Sequence, residues 1–155
     1  MAEKSERAEM EEKILQFWKE NKIFEKTLEK NSPKGEFVFY DGPPFATGLP
    51  HYGSLLSSII KDVIPRYKTM RGFRVRRRWG WDCHGLPIEN MVEKELGIKD
   101  KKEIEEMGVA KFNRACRDSV LKFADEWKVF IDRIGRFVDY AHSYKTMDSS
   151  YIESG

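Results

Sequence analysis

His51 stands at a junction. Before it runs a turn rich in glycine and proline, Asp41-Gly42-Pro43-Pro44-Phe45-Ala46-Thr47-Gly48-Leu49-Pro50; after it comes Tyr52-Gly53-Ser54 and a strongly periodic apolar run. An imidazole can donate a hydrogen bond, and the first amides of a helix have no helical acceptor. Together with the aligned peptide dipoles, these donors favour negative charge, so the arrangement suits phosphate binding. Gly48 and Gly53 remove side-chain bulk where a nucleotide must come close. Taken alone, Gly42-Pro43-Pro44 reads as a turn and His51 as a helix cap; the combination is what points to a ligand. Asp82 is the second group of interest. A carboxylate just past a parallel strand lies on the ligand side of an open α/β sheet and can pair with an ammonium group, the other reading being a loop or helix cap. Cys83-His84 places two adjacent ligands with no second pair, a poor metal site, and none is expected. Arg71, Arg74, Arg76, Arg77 and Arg78 form the only basic cluster, either a solvated strand face or a contact for a nucleic-acid backbone.

These groups need elements to hold them. Phe37-Val38-Phe39-Tyr40 is apolar at every position, as in a strand buried within a parallel sheet. Leu55, Leu56, Ile59, Ile60, Val63 and Tyr67 recur at helical steps, which predicts a helix over 52–67 that Pro65 kinks or ends. Gly72 stops it, and alternation over 73–79 predicts a second strand, giving a right-handed parallel crossover. The glycine and proline loop joins the first strand to the helix and delivers His51.

Around this unit, Glu6 to Lys22 reads as a helix capped by Ser5, with Met10, Ile14, Phe17 and Trp18 on one face. A helix over about 88–96 stops at Gly97, and Asp100 with Glu103 resembles a capping box for a short helix ending at Gly108. One long helix is expected over about 110–134, striped by Phe112, Cys116, Val120, Phe123, Trp127, Ile131 and Ile134, and ended by Gly135. The aromatics Phe112, Phe123, Trp127 and Phe130 suit a core better than a base-stacking surface. Tyr144 to Thr146 reads as a short strand or extended loop, and Asp148 as the cap of a last helix.

The 155 residues suffice for one domain, and 40% apolar with 13% aromatic residues argues for a folded chain. A net charge of +2 implies no strong nucleic-acid field for the chain as a whole. No run approaches a membrane span, no secretory signal leads the chain, and two distant cysteines suit a reduced compartment, so no membrane partner and a cytoplasmic location are expected. Neither Gly-x-Gly-x-x-Gly nor a P-loop is present, which argues against a dinucleotide oxidoreductase and a P-loop ATPase.

Pro44-x-x-x-Gly48-x-x-His51-x-Gly53 resembles the ATP-binding "HIGH" signature of class I aminoacyl-tRNA synthetases. With Gly80-Trp81-Asp82-Cys83-His84-Gly85-Leu86-Pro87 it resembles their isoleucyl branch from about residue 8 onward. The resemblance implies an α/β fold: a partial Rossmann-like nucleotide-binding domain of parallel strands with a crossover helix, preceded by an amino-terminal helix and followed by long helices. It implies a helical extension of about 1–34 and a nucleotide-binding half of about 35–155. It further implies ATP with Mg2+, isoleucine and tRNA(Ile) as partners of a longer chain that forms isoleucyl-adenylate and transfers it to tRNA. Site roles follow from it residue by residue: His51 and Ser54 catalytic; Pro44, Phe45, Gly48, His51, Gly53 and Ser54 toward ATP; Gly42, Pro43 and Asp82 toward the amino acid. The motif's second histidine is Ser54 here, a shorter and uncharged donor. The second ATP loop, of Lys-Met-Ser-Lys-Ser type, has no match; Lys99-Asp100-Lys101-Lys102 lacks the Met and Ser. A non-catalytic nucleotide-binding or interaction module and a valyl or leucyl sister enzyme are the alternatives.

Overall fold

The computed structural model describes residues 4–45 and 47–154; Ala46 of the loop and the terminal Gly155 lie outside the described residues. Helix α1, Glu6–Glu20, starts at Ser5, whose hydroxyl accepts from the Ala8 amide at 3.3 Å. Leu15 and Trp18 turn inward and flank Gly135, where a Cβ would come within 3.1 and 3.2 Å of them. Trp18 also meets Phe137 edge-on at 5.0 Å. The expected packed face is thus corrected: Met10, Ile14 and Phe17 are 55%, 41% and 55% exposed. Lys22, at φ 48°, breaks the chain into a second helix, α2, Ile23–Glu29, which the apolar pattern does not announce.

Helix α3, Tyr52–Met70, runs through Pro65 rather than ending there. The proline is buried, and its carbonyl accepts from Thr69 Oγ1 of the same helix at 2.8 Å and from Arg77, outside the helix, at 3.4 Å, so tertiary contact helps to hold the turn that an isolated helix would lose. Strand β1 is Arg78–Trp81 and strand β2 is Asp139–Lys145; they pair in parallel, with an irregularity between Arg78 and Gly80. Gly80 is required there, because a Cβ would overlap the Tyr144 ring. The crossover between them carries α4 (Leu86–Leu96), α5 (Lys101–Met107), α6 (Val109–Ser119) and α7 (Ala124–Arg133). The single long helix expected over 110–134 is two helices with a turn at 120–123, and the break lets Val120 and Trp127 enter one core. That core joins Trp79, Trp81, Cys83, Ile88, Val120, Trp127 and Ile131, with Trp81 and Trp127 edge-on at 5.7 Å. The last described helix, α8, is Ser149–Ile152, with Asp148 at its cap position.

The strand expected at 37–40 does not form a ladder. Extended chain over 36–45 lies parallel to 74–82 and touches it at two isolated bridges, Glu36 with Arg74 and Phe45 with Asp82. Nor is the segment buried on both faces: Phe37 and Phe39 are half-buried, while Val38 and Tyr40 are 68% and 92% exposed. The paired strand likewise begins later than expected, at Arg78 instead of Phe73. Pro43 and Pro44 lack the amides a ladder would use and Gly42 weakens one, so the pairing cannot continue into the loop.

Helix α3 faces the opposite way from a simple amphipathic reading. Its buried residues are Ser58, Asp62, Pro65 and Thr69, while Leu56, Ile59, Ile60, Val63, Ile64 and Tyr67 stand exposed. A self-contained chain of this mass would expose about 8,000 Å²; this one exposes 11245 Å². An apolar face of this kind associates. The isolated chain is therefore expected to self-associate with concentration, and Ile60→Lys with Val63→Lys to return it to a monomer in sedimentation. Equal sedimentation of both proteins as monomers would contradict the exposure of this face.

Candidate functional site

The loop, the start of α3 and the core meet at a cleft of about 430 Å³. Gly42, Pro43, Pro44, Phe45, Gly48, His51, Gly53 and Ser54 all line it, so eight of the nine residues singled out in the sequence come together. Asp82 is the exception. Its amide donates to the Pro44 carbonyl at 2.8 Å, and its Oδ1 accepts from the His84 amide at 3.4 Å, but its side chain is not part of the lining.

His51 is the N-cap of α3: its Nδ1 accepts from the Ser54 amide at 3.3 Å. A neutral ring that accepts at Nδ1 carries its proton on Nε2, so that N–H is left to donate outward. Cap and donor are therefore one arrangement rather than competing ones. The ring folds back over the first turn, and a Cβ on Gly53 would come within 3.0 Å of it, which is the local reason for a glycine two residues after the histidine. Ser54 follows on the cleft face of α3, where Ser57, Ser58 and Lys61 continue the polar stripe.

Sequence reasoning missed three groups on this cleft. Trp127, counted only as core, donates from Nε1 to the Gly48 carbonyl at 2.7 Å and so pins the loop. Lys61 donates to the Gly42 carbonyl at 2.8 Å and pairs with Asp41 at 2.9 Å. Arg136 reaches Asp41 and donates to Ser58 Oγ at 2.6 Å. Helical spacing from Ser54 and Ser57 could have found Lys61. Nothing local could have found Arg136, which lies 78 residues from Ser58.

The basic cluster is corrected. Arg71, Arg74, Arg76 and Arg78 are exposed, but Arg77 is buried, donating to Thr69 Oγ1 and, at 3.4 Å, to the Pro65 carbonyl. Burial pushes its pKa down and the nearby Asp62 carboxylate opposes that shift. It therefore contributes no charge to a surface for a nucleic-acid backbone. Cys83 is buried with its Sγ toward the Trp81 carbonyl at 3.4 Å, and burial raises its thiol pKa, while His84 is exposed; the two do not converge on one point. Among the described residues no group of three or more metal-ligating side chains occurs.

A family model described as "tRNA synthetases class I (I, L, M and V)" matches residues 13–155. The chain belongs to that family. It is 62% identical over 145 residues to the isoleucine–tRNA ligase of Ehrlichia ruminantium (strain Gardel), covering 94% of this chain and 13% of that protein. It is 55% identical over 147 residues to the isoleucine–tRNA ligase of Treponema denticola, covering 95% and 13%. Against isoleucine–tRNA ligase 2 of Pseudomonas fluorescens it is 58% identical over 145 residues, covering 94% and 14%. Among solved structures it resembles the Agrobacterium radiobacter K84 agnB2 LeuRS in ternary complex with tRNA and LeuAMS, with a TM-score of 0.56 at 25% identity, covering 92% of this chain and 16% of that one. The partial Rossmann-like α/β fold agrees with that neighbour. The chain thus spans only 13–14% of the length of these curated relatives.

Proposed function

We propose that this chain is the ATP-activating part of an isoleucine–tRNA ligase, acting within a longer polypeptide. The supporting observation is that the loop residues and His51, at the start of α3, line one cleft. Identities of 55–62% to isoleucine–tRNA ligases favour isoleucine over the valyl and leucyl alternatives. The division into a helical extension of about 1–34 and a nucleotide-binding half of about 35–155 belongs to the same proposal.

In this assignment the isoleucine carboxylate attacks the α-phosphorus of ATP in line, and diphosphate leaves. Negative charge builds on the phosphate oxygens, and fixed donors stabilise it without reorganising. His51 Nε2–H is one such donor. The amides of Tyr52 and Gly53, in the first turn, are without helical acceptors by geometry and can add to it. Gly48 and Gly53 let the nucleotide approach the backbone, and Pro44 and Phe45 form its wall. Asp82, tied to that wall through Pro44, is assigned the substrate ammonium, while Gly42 and Pro43 border its side chain. Magnesium shields the phosphates when bound to them. No carboxylate is among the described residues that line the cleft, and the neighbouring Asp41 is already held by two cations, so the ion is expected to ride on ATP with its waters. Transfer to tRNA(Ile) completes the proposed reaction. No described helix is long and apolar enough to cross a membrane, and a cytoplasmic site of action is part of the proposal.

The isolated chain should bind ATP weakly by calorimetry and should not charge tRNA. Donors on the far side of the phosphates, of Lys-Met-Ser-Lys-Ser type, have no match in its sequence. Charging by the isolated chain in a single turnover would overturn the assignment. A stronger scaffold is a chimera in which this chain replaces the matching segment of the Ehrlichia ruminantium (strain Gardel) ligase. There, Ser54→Ala should lower adenylate formation modestly, and Ser54→His should keep or raise it. Loss of all activity in a folded Ser54→His chimera would mean that the local geometry has diverged from that of a family whose motif carries a histidine there.

A further inference from the structure

The wall of the cleft is poor in backbone support. Phe37 donates to the Arg74 carbonyl at 2.9 Å and Asp82 to the Pro44 carbonyl at 2.8 Å, yet residues 38–43 have no backbone–backbone hydrogen bond to the described residues. Pro43 and Pro44 lack the amide that a ladder would use. Side chains supply the anchorage instead. Asp41 accepts from Lys61 Nζ at 2.9 Å and from Arg136 Nη2, and Lys61 Nζ also donates to the Gly42 carbonyl at 2.8 Å. Arg136 is fixed in turn by Ser58 Oγ at 2.6 Å and by the Trp79 ring, 5.0 Å from its guanidinium carbon.

The side chains of Asp41 and Arg136 are only 17% and 7% exposed, so water replaces these bonds poorly. A nearly buried carboxylate shared by two cations has a strong preference for one geometry, since it is the only counter-charge of both in the cluster, and its loss would leave the nearly buried Arg136 guanidinium unpaired there. A guanidinium also suits this place better than an ammonium, because it can stack on Trp79 while its two terminal nitrogens point at different acceptors.

We propose that Asp41, Lys61 and Arg136 form a clamp that sets the position of the Gly42-Pro43-Pro44 wall, with Lys61 and Arg136 as positioning residues for the end of the cleft that takes the amino acid. The last clause rests on the function proposed above; the clamp itself does not. Lys61 holds the peptide of Gly42 directly. Arg136 acts through Asp41. The far end of the same loop is pinned by Trp127 Nε1 on the Gly48 carbonyl, at 2.7 Å, and so that indole proton reports whether the loop is seated.

The test uses the 15N-labelled chain carrying Ile60→Lys and Val63→Lys to keep it monomeric. Arg136→Met and Asp41→Asn should each shift the Trp127 indole resonance and speed exchange of its proton by about tenfold or more. The Trp81 indole, in the core, should not move. Arg136→Lys should fall in between, and non-denaturing guanidinium chloride should restore the Arg136→Met spectrum. The double variant Asp41→Asn/Arg136→Met should be little worse than either single variant. Additive effects, Trp127 and Trp81 shifting together, or no shift at all would overturn the clamp. In the chimera, Arg136→Met should raise the isoleucine KM about tenfold with the ATP KM unchanged. The clamp's spectral signature together with equal rises in both KM values would leave the clamp standing and overturn the assignment of its wall to the amino acid.

Discussion

Adenylate formation by the chimera should fall by about 10²–10³ when His51 becomes asparagine. Asparagine is chosen because it separates two duties that His51 performs at once. Its side-chain oxygen can still accept from the Ser54 amide, as His51 Nδ1 does at 3.3 Å. Its amide nitrogen cannot reach as far as Nε2, so the outward donor is lost while the cap remains. Stability should then stay within about 1 kcal/mol of the parent, the usual worth of a cap. His51→Ala removes both, and should add a loss of stability to the same loss of rate. A His51→Asn chimera with full activity would reduce His51 to a helix cap.

Asp82→Ala should raise the isoleucine requirement strongly, leaving ATP affinity nearly unchanged. A hydrogen bond to a charged partner is worth about 1.5–3 kcal/mol, which corresponds to roughly 10- to 150-fold in affinity. Asp82 sits where β1 ends and its amide bonds Pro44, so the carboxylate and the loop wall are tied at one point. Because its side chain is not part of the cleft lining, the proposed assignment requires the substrate ammonium to reach it past the rim near Phe45. Calorimetry of isoleucine binding to the Asp82→Ala and Asp82→Asn chimeras measures this. Affinity unchanged in both would remove Asp82 from the site.

The parts of this fold that were legible in the sequence are those set by local chemistry. Ser5 caps α1, Asp100 accepts from the Lys102 amide at the start of α5, and Gly97 and Gly135 end helices at positive φ. His51 and its loop were legible because a junction of turn and helix carries its own donors. The illegible parts depend on partners distant in sequence. Periodicity in α3 marks an apolar face but cannot say whether a neighbour covers it, and here Ser58, Asp62 and Thr69 turn inward to Arg136, the Phe137 amide and Arg77. The stripe over 110–134 continues through the turn at 120–123, so no breaker residue marks the division into α6 and α7. Alternation over 73–79 already sets Arg77 on the side of Val75 and Trp79, away from Arg74, Arg76 and Arg78, and it lies inside with them; what sequence could not supply are its acceptors, Thr69 Oγ1 and the Pro65 carbonyl of α3. Arg136 and Trp127 reach the cleft only through tertiary folding.

ATP–diphosphate exchange by the chimera, run with isoleucine, valine and leucine in turn, tests the central assignment most directly. Exchange that depends on isoleucine, and is far weaker with valine or leucine, is the expected result. A folded chimera that binds ATP but exchanges with none of the three, or prefers leucine or valine, would contradict it.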